Sequence, residues 1–156
     1  GLKLGNHSFE FLLEASFFDS CESFGIQKGS GIAKAVLEKK ETMMLLSLTL
    51  NATLDVLCDR CNENMSLDVD GHMELIYKFG IEESLDESLV ILPPDSYQID
   101  MFQPVYELLV VSLPSRFIHP NDGCNPEVLK FLNTPPTSQE KKNELDPRWS
   151  ALNKLN

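Results

Sequence analysis

Apolar and polar residues alternate along two neighbouring stretches in the middle of the chain. Leu46, Leu48, Leu50, Ala52, Leu54, Val56 and Cys58 are interleaved with Ser47, Thr49, Asn51, Thr53 and Asp55. A period of two sends one face of a β-strand to the core and the other to water. The second stretch mirrors the first: Met65, Leu67, Val69, Met73, Leu75, Tyr77 and Phe79 alternate with Ser66, Asp68, Asp70, His72, Glu74 and Lys78. Two such strands joined by a few polar residues predict a long antiparallel hairpin. Gly71 interrupts the apolar row of the second arm and predicts a bulge or sharp bend.

Upstream, residues 2–13 hold the alternating set His7, Phe9, Phe11 and Leu13, and Ile32 to Leu37 predicts a further strand leading into the hairpin. Gly25 to Gly31, between them, reads as a flexible turn. Its glycines and lysine lack the Gly-Lys-Ser/Thr order of a phosphate loop, so no nucleotide site is expected there. Downstream, the apolar run Leu89 to Leu92 is stopped by Pro93-Pro94. A helix is predicted near 101–113, with Asp100 as its cap, Gln103 three positions on, and Pro104 in its first turn. Met101, Val105, Leu108 and Leu109 form its apolar face, and Leu113-Pro114 ends it. Asn125-Pro126 and Asp146-Pro147 each set a polar cap before a proline at a first helical position.

These elements predict an α+β fold: a bent antiparallel β-sheet or small barrel with a long hairpin, one packed helix and short C-terminal helices. The expected organisation is a single β-rich domain over residues 1–132. Residues 133–156, opening with a Pro-rich polar linker, are expected to dock a short helix back on that domain.

At 156 residues the chain is long enough for one core. It has no window as long as a membrane span, and its first residues lack a signal-peptide pattern. The expected compartment is the cytoplasm. The net charge of −11 is unevenly placed, since 13 acidic residues between Asp55 and Glu107 face only Arg60 and Lys78. Such clustering attracts basic partners over a Debye length of about 10 Å and disfavours direct contact with phosphate backbones. Neither DNA nor a membrane is an expected partner.

Candidate chemistry centres on Cys58-Asp59-Arg60-Cys61 at the predicted hairpin tip. Zinc takes four nitrogen or sulfur ligands, and Cys58, Cys61, His119 and Cys124 supply that number if the loop after the helix reaches the tip. A structural zinc ion is the cofactor such a set would hold. The alternatives are plain structural cysteines and a redox or disulfide pair. His7 and His72 fall on strands, and no nucleophile elbow, His-Glu-x-x-His pair or Walker loop is present, so no catalytic residue is expected.

Taken in order, Leu48 to Cys61, the helix end Ser112-Leu113-Pro114, the His119-Pro120 to Cys124 loop and the terminal Leu145-Asp146-Pro147-Arg148-Trp149-Ser150-Ala151-Leu152 resemble the YceD family. Members of that family are known as large ribosomal RNA subunit accumulation proteins. The resemblance implies a non-enzymatic role in synthesis, processing or stability of large-subunit (23S) ribosomal RNA. Many relatives carry a second C-x2-C where this chain has His119 and Cys124, which leaves a mixed site or a decayed one. Combined with the acidic middle, the resemblance suggests a basic ribosomal protein or assembly factor as the partner, with RNA reached indirectly. The expected anchors are Asp68, Asp70, Glu74, Glu82, Glu83, Asp86 and Glu87. Arg148 and Trp149 are candidates for RNA contact by charge and stacking, or for packing and ion pairing against the body. The competing expectation is a zinc-ribbon-like module that binds RNA directly.

Overall fold

The computed structural model describes residues 1–21, 24–81, 86, 88–120 and 123–133. Its elements are β1 (Gly5–Leu13), α1 (Ala15–Asp19), β2 (Ile26–Lys39), β3 (Met44–Leu57), β4 (Asn64–Phe79), β5 (Leu89–Leu92), α2 (Phe102–Ser112) and α3 (Pro126–Asn133). The five strands lie in sequence order in one sheet. The first four are antiparallel neighbours, and β5 joins the edge parallel to the end of β4, pairing Ile76 to Leu89 and Phe79 to Leu92. The fold is α+β, as the alternation predicts. The sheet is open rather than a barrel, because its inner face is covered by helices instead of by facing strands.

The hairpin of β3 and β4 forms the centre. Its pairing is unbroken from Met44 with Tyr77 to Leu57 with Asn64, so every apolar residue of the β3 row falls on one face. Leu48, Leu50, Leu54 and Val56 have no solvent exposure. Each such side chain contributes about 1.5–3 kcal/mol through burial, an upper figure given a compact unfolded chain. Leu108 and Leu109 of α2 complete this layer, with Val105 beside them.

Three local readings are corrected by the fold. Gly71 makes no bulge: it pairs in register with Leu50, and its missing side chain makes room for Leu108 and Ser112 of α2. Gly25 to Gly31 is not a turn beyond Gly25 itself, whose φ is 78°. From Ile26 onward it is the first half of β2, with an irregularity between Ile26 and Lys28. Glycine is needed there for close approach. A Cβ on Gly29 would lie 2.7 Å from the Phe18 ring, and one on Gly31 would lie 2.7 Å from the Asn51 carbonyl oxygen. The helix α1 was not foreseen, since five residues are too few to display a helical period. It buries Phe17 and Phe18 against the sheet.

Both longer helices start as expected. Asp100 Oδ1 accepts the Phe102 N–H at 2.9 Å, whereas the Gln103 side chain donates to Glu107 Oε1 rather than turning back to the cap. Asn125 Oδ1 accepts the Glu127 N–H at 2.9 Å, with Pro126 at the first helical position of α3. The predicted linker and terminal helix, together with Arg148 and Trp149, lie outside the described residues. Among the described residues no helix is long and apolar enough to cross a membrane.

Candidate metal centre

The tip of the hairpin is a tight knuckle. The Cys58 N–H donates to the Glu63 carbonyl at 2.9 Å and the Asn62 N–H donates to the Cys58 carbonyl at 2.8 Å. Asn62 closes the turn with a φ of 58°, a left-handed conformation that asparagine tolerates better than most residues. Inside the turn the Arg60 N–H points at the Cys58 sulfur, 3.4 Å away. Cys58 is almost fully buried at the end of the apolar row of β3, and Cys61 is half-buried.

The loop after α2 is clipped onto this knuckle by backbone and side-chain bonds. The Asp59 N–H donates to the Phe117 carbonyl, and the Phe117 N–H donates to Asp59 Oδ2, both at 2.7 Å. Asn125 Nδ2 donates to Glu63 Oε1 at 2.7 Å, tying the start of α3 to the same tip. Asn62 thus shapes the knuckle, and Asp59 and Glu63 position the second half of the site. Their only signal in the sequence is their place inside and beside the C-x2-C, which does not say what they bind.

Held this way, the four residues singled out in the sequence converge. Cys58 Sγ lies 3.7 Å from Cys124 Sγ, Cys61 Sγ lies 3.5 Å from His119 Nδ1, and Cys124 Sγ lies 3.7 Å from the same nitrogen. All four ligand atoms are within 4.8 Å of one another, and all three cysteines are free thiols. Metal–sulfur bonds of about 2.3 Å and metal–nitrogen bonds of about 2.0 Å set at tetrahedral angles put ligand atoms about 3.5–3.8 Å apart. The three short separations match that figure, so the cluster is able to hold a metal ion.

The thiols differ in electrostatics. Burial opposes charge at Cys58, but the backbone N–H groups of Arg60, Cys61 and His119 and the Cys61 thiol aim at its sulfur and lower its pKa to about 6. Burial pushes Cys124 up to about 11, and the sulfurs of Cys58 and Cys61 push it further the same way. One sulfur is therefore ready to be a thiolate and its neighbour resists becoming one. A dication between them removes that conflict.

A family model, described as large ribosomal RNA subunit accumulation protein YceD, matches residues 46–156. The chain belongs to the YceD family. The match takes in β3 from Leu46 onward, the whole knuckle and both later ligands, and the family's description supports a role in accumulation of 23S ribosomal RNA. Neither a curated protein nor a solved structure matches the chain.

The acidic residues expected to bind a partner fall into three groups. Asp68, Asp70 and Glu74 share the exposed face of β4, opposite Thr53, Asn51 and Ser47 of β3. Thr53 Oγ1 donates to Asp68 Oδ1 at 2.8 Å, and His72 Nε2 lies 3.7 Å from Glu74 Oε1. Asp86 is exposed and accepts the Ser88 hydroxyl and N–H, which lower its pKa. Glu82, Glu83 and Glu87 lie outside the described residues.

Proposed function

We propose that this YceD-family chain supports accumulation of 23S ribosomal RNA as a non-enzymatic adaptor. Its acidic outer face holds a basic ribosomal protein or assembly factor, and a zinc ion bound by Cys58, Cys61, His119 and Cys124 keeps the hairpin tip in shape. The observation that carries the adaptor role is the row Asp68, Asp70 and Glu74, which face solvent on one side of β4 with uncharged residues opposite them on β3. Carboxylates at this spacing raise the local concentration of cationic surfaces and repel RNA phosphates. The zinc is structural: its four ligands are supplied by the protein, which leaves no open position for substrate.

The test is affinity capture from cells at low salt with the chain and with its Asp68→Lys, Asp70→Lys, Glu74→Lys triple variant. The adaptor reading expects basic proteins to be recovered with the first and lost with the second, with a parallel fall in 23S RNA. Unchanged recovery and RNA level would overturn it. Salt-dependent binding of RNA by the isolated protein would instead favour a zinc-ribbon-like RNA-binding module.

A further inference from the structure

The inner face of the sheet is unevenly covered. Near the hairpin tip, α1 and α2 seal it, with Phe18 over Gly29 and with Leu108 and Ser112 over Gly71. Toward the opposite end, where β3 begins and β4 finishes, no helix among the described residues crosses it. A groove of about 510 Å³ remains there, floored by strand residues including Phe9, Phe11, Leu37 and Tyr77 and walled by Phe79 and Ile99. Its volume is within the range of sites that take a ligand or a partner's side chains. Phe9 is 42% exposed and Phe79 50%, although both belong to the same face as Leu48 and Leu50, which are at 0%. Among the described residues, two phenylalanines on a core face are left without a cover.

The charges around the groove select what the cover is. Asp95 and Asp100 are exposed in the segment that forms its wall, and Glu107 is exposed on the adjoining helix α2. The fields of Glu107 and Asp100 reach the Tyr77 hydroxyl inside the groove, where burial is the larger influence and both carboxylates add to it, raising that group to about 12. The three carboxylates border the groove rather than line it; at another part of the lining itself the Lys39 ammonium donates to the Leu2 carbonyl at 2.9 Å and keeps its positive charge. An apolar slot bordered by three carboxylates disfavours a nucleic acid and a second copy of a chain carrying −11.

We propose that this groove is a docking site for a basic amphipathic segment of a partner protein, whose apolar side chains enter between Phe9 and Phe79 while its lysines or arginines meet Asp95, Asp100 and Glu107. The inference shares with the proposed function the expectation of a basic partner. It assigns the apolar anchor to the opposite face of the sheet from Asp68, Asp70 and Glu74, which makes the two readings separable. Apolar burial in the groove supplies affinity, and the carboxylates on its border supply preference for cations.

The probe is a fluorescently labelled synthetic helix of about 18 residues built from leucine and lysine, with a leucine and glutamate counterpart, titrated against the 156-residue chain by anisotropy. The lysine peptide is expected to bind at least about tenfold more tightly than the glutamate peptide. Phe9→Ser and Phe79→Ser should each weaken it by about tenfold, and Asp95→Lys with Glu107→Lys by a similar factor. Because these positions are exposed, the variants are expected to keep the parent's thermal midpoint, which is measured alongside. Reversal of Asp68, Asp70 and Glu74 should leave the peptide's affinity nearly unchanged. Equal binding of both peptides, indifference to Phe79→Ser, loss only on outer-face reversal, or a dimer that Phe79→Ser dissolves would each overturn the assignment.

Discussion

Gly71 of β4 lies so close beneath Ser112 at the end of α2 that a Cβ added to the glycine would overlap the serine hydroxyl and sit 3.0 Å from Leu108 Cδ1. The serine side chain is able to rotate away. Leu108, only 1% exposed and packed in the core, has nowhere to go. Gly71→Ala is therefore expected to destabilise the fold by about 1–3 kcal/mol, the usual cost of overpacking. Denaturant melts check this. Combining it with Leu108→Ala should give less than the sum of the two single losses, since the second change opens the space the first one needs.

Asn62 offers a separate test at the hairpin tip. Its φ of 58° suits glycine, is tolerated by asparagine, and opposes a β-branched side chain. Asn62→Gly is expected to preserve stability and metal content. Asn62→Val should cost about 1–2 kcal/mol and loosen the knuckle, so that Cys58 and Cys61 no longer approach His119 and Cys124 together. Thermal midpoints and metal-to-protein ratios of the two variants measure both effects.

The parts of the fold that were legible beforehand are those where burial alone dictates sequence. The β3 row from Leu46 to Cys58 faces one layer, and its alternation is nearly perfect. Glycine is harder to read, because the same residue serves a turn at Gly25, close approach of an aromatic ring at Gly29, and helix packing at Gly71. Only the tertiary neighbour distinguishes these uses. The candidate metal centre was legible as a set of four residue types, but not as a geometry. What brings His119 and Cys124 to the tip is Asp59 bonding to Phe117 and Glu63 bonding to Asn125, and such pairings over about 60 residues leave no periodic trace.

Tyr77 predicts how the fold fails at high pH. Burial first, and then the Glu107 and Asp100 carboxylates, raise its hydroxyl to about 12 from an ordinary 10.0. A group whose folded pKa is raised contributes fully below its unfolded value and loses that contribution as pH climbs to its folded one. Stability should thus decline between about pH 10 and pH 12, accompanied by the absorbance change of tyrosine ionisation. Tyr77→Phe removes the titrating group, and the decline over that interval should flatten. An equally steep loss in the variant would assign the alkaline transition to other residues.

The candidate metal centre yields the prediction with the largest consequence. Protein purified without chelator should carry about one zinc per chain, and Cys61→Ser or His119→Ala should reduce this to a trace while leaving the sheet folded. Chelation should lower the thermal midpoint by about 5–10 °C, the shift for a ligand at about 100 times its Kd acting on a chain of this size. The chelated protein then exposes the thiols' opposed titrations. Cys58 is depressed from 9.0 to about 6, so its stabilising contribution is complete above pH 9 and disappears as pH falls through 6. Cys124 is raised from 9.0 to about 11, so its contribution is complete below pH 9 and disappears as pH rises through 11. The metal-free midpoint should accordingly peak near pH 9, whereas the loaded protein should hold its midpoint at neutral pH and lose it in acid, where protons compete with the metal for the same sulfurs and for His119. If chelated and untreated protein melt identically from pH 6 to pH 9, the four residues form a packed cluster of thiols and imidazole that binds no ion.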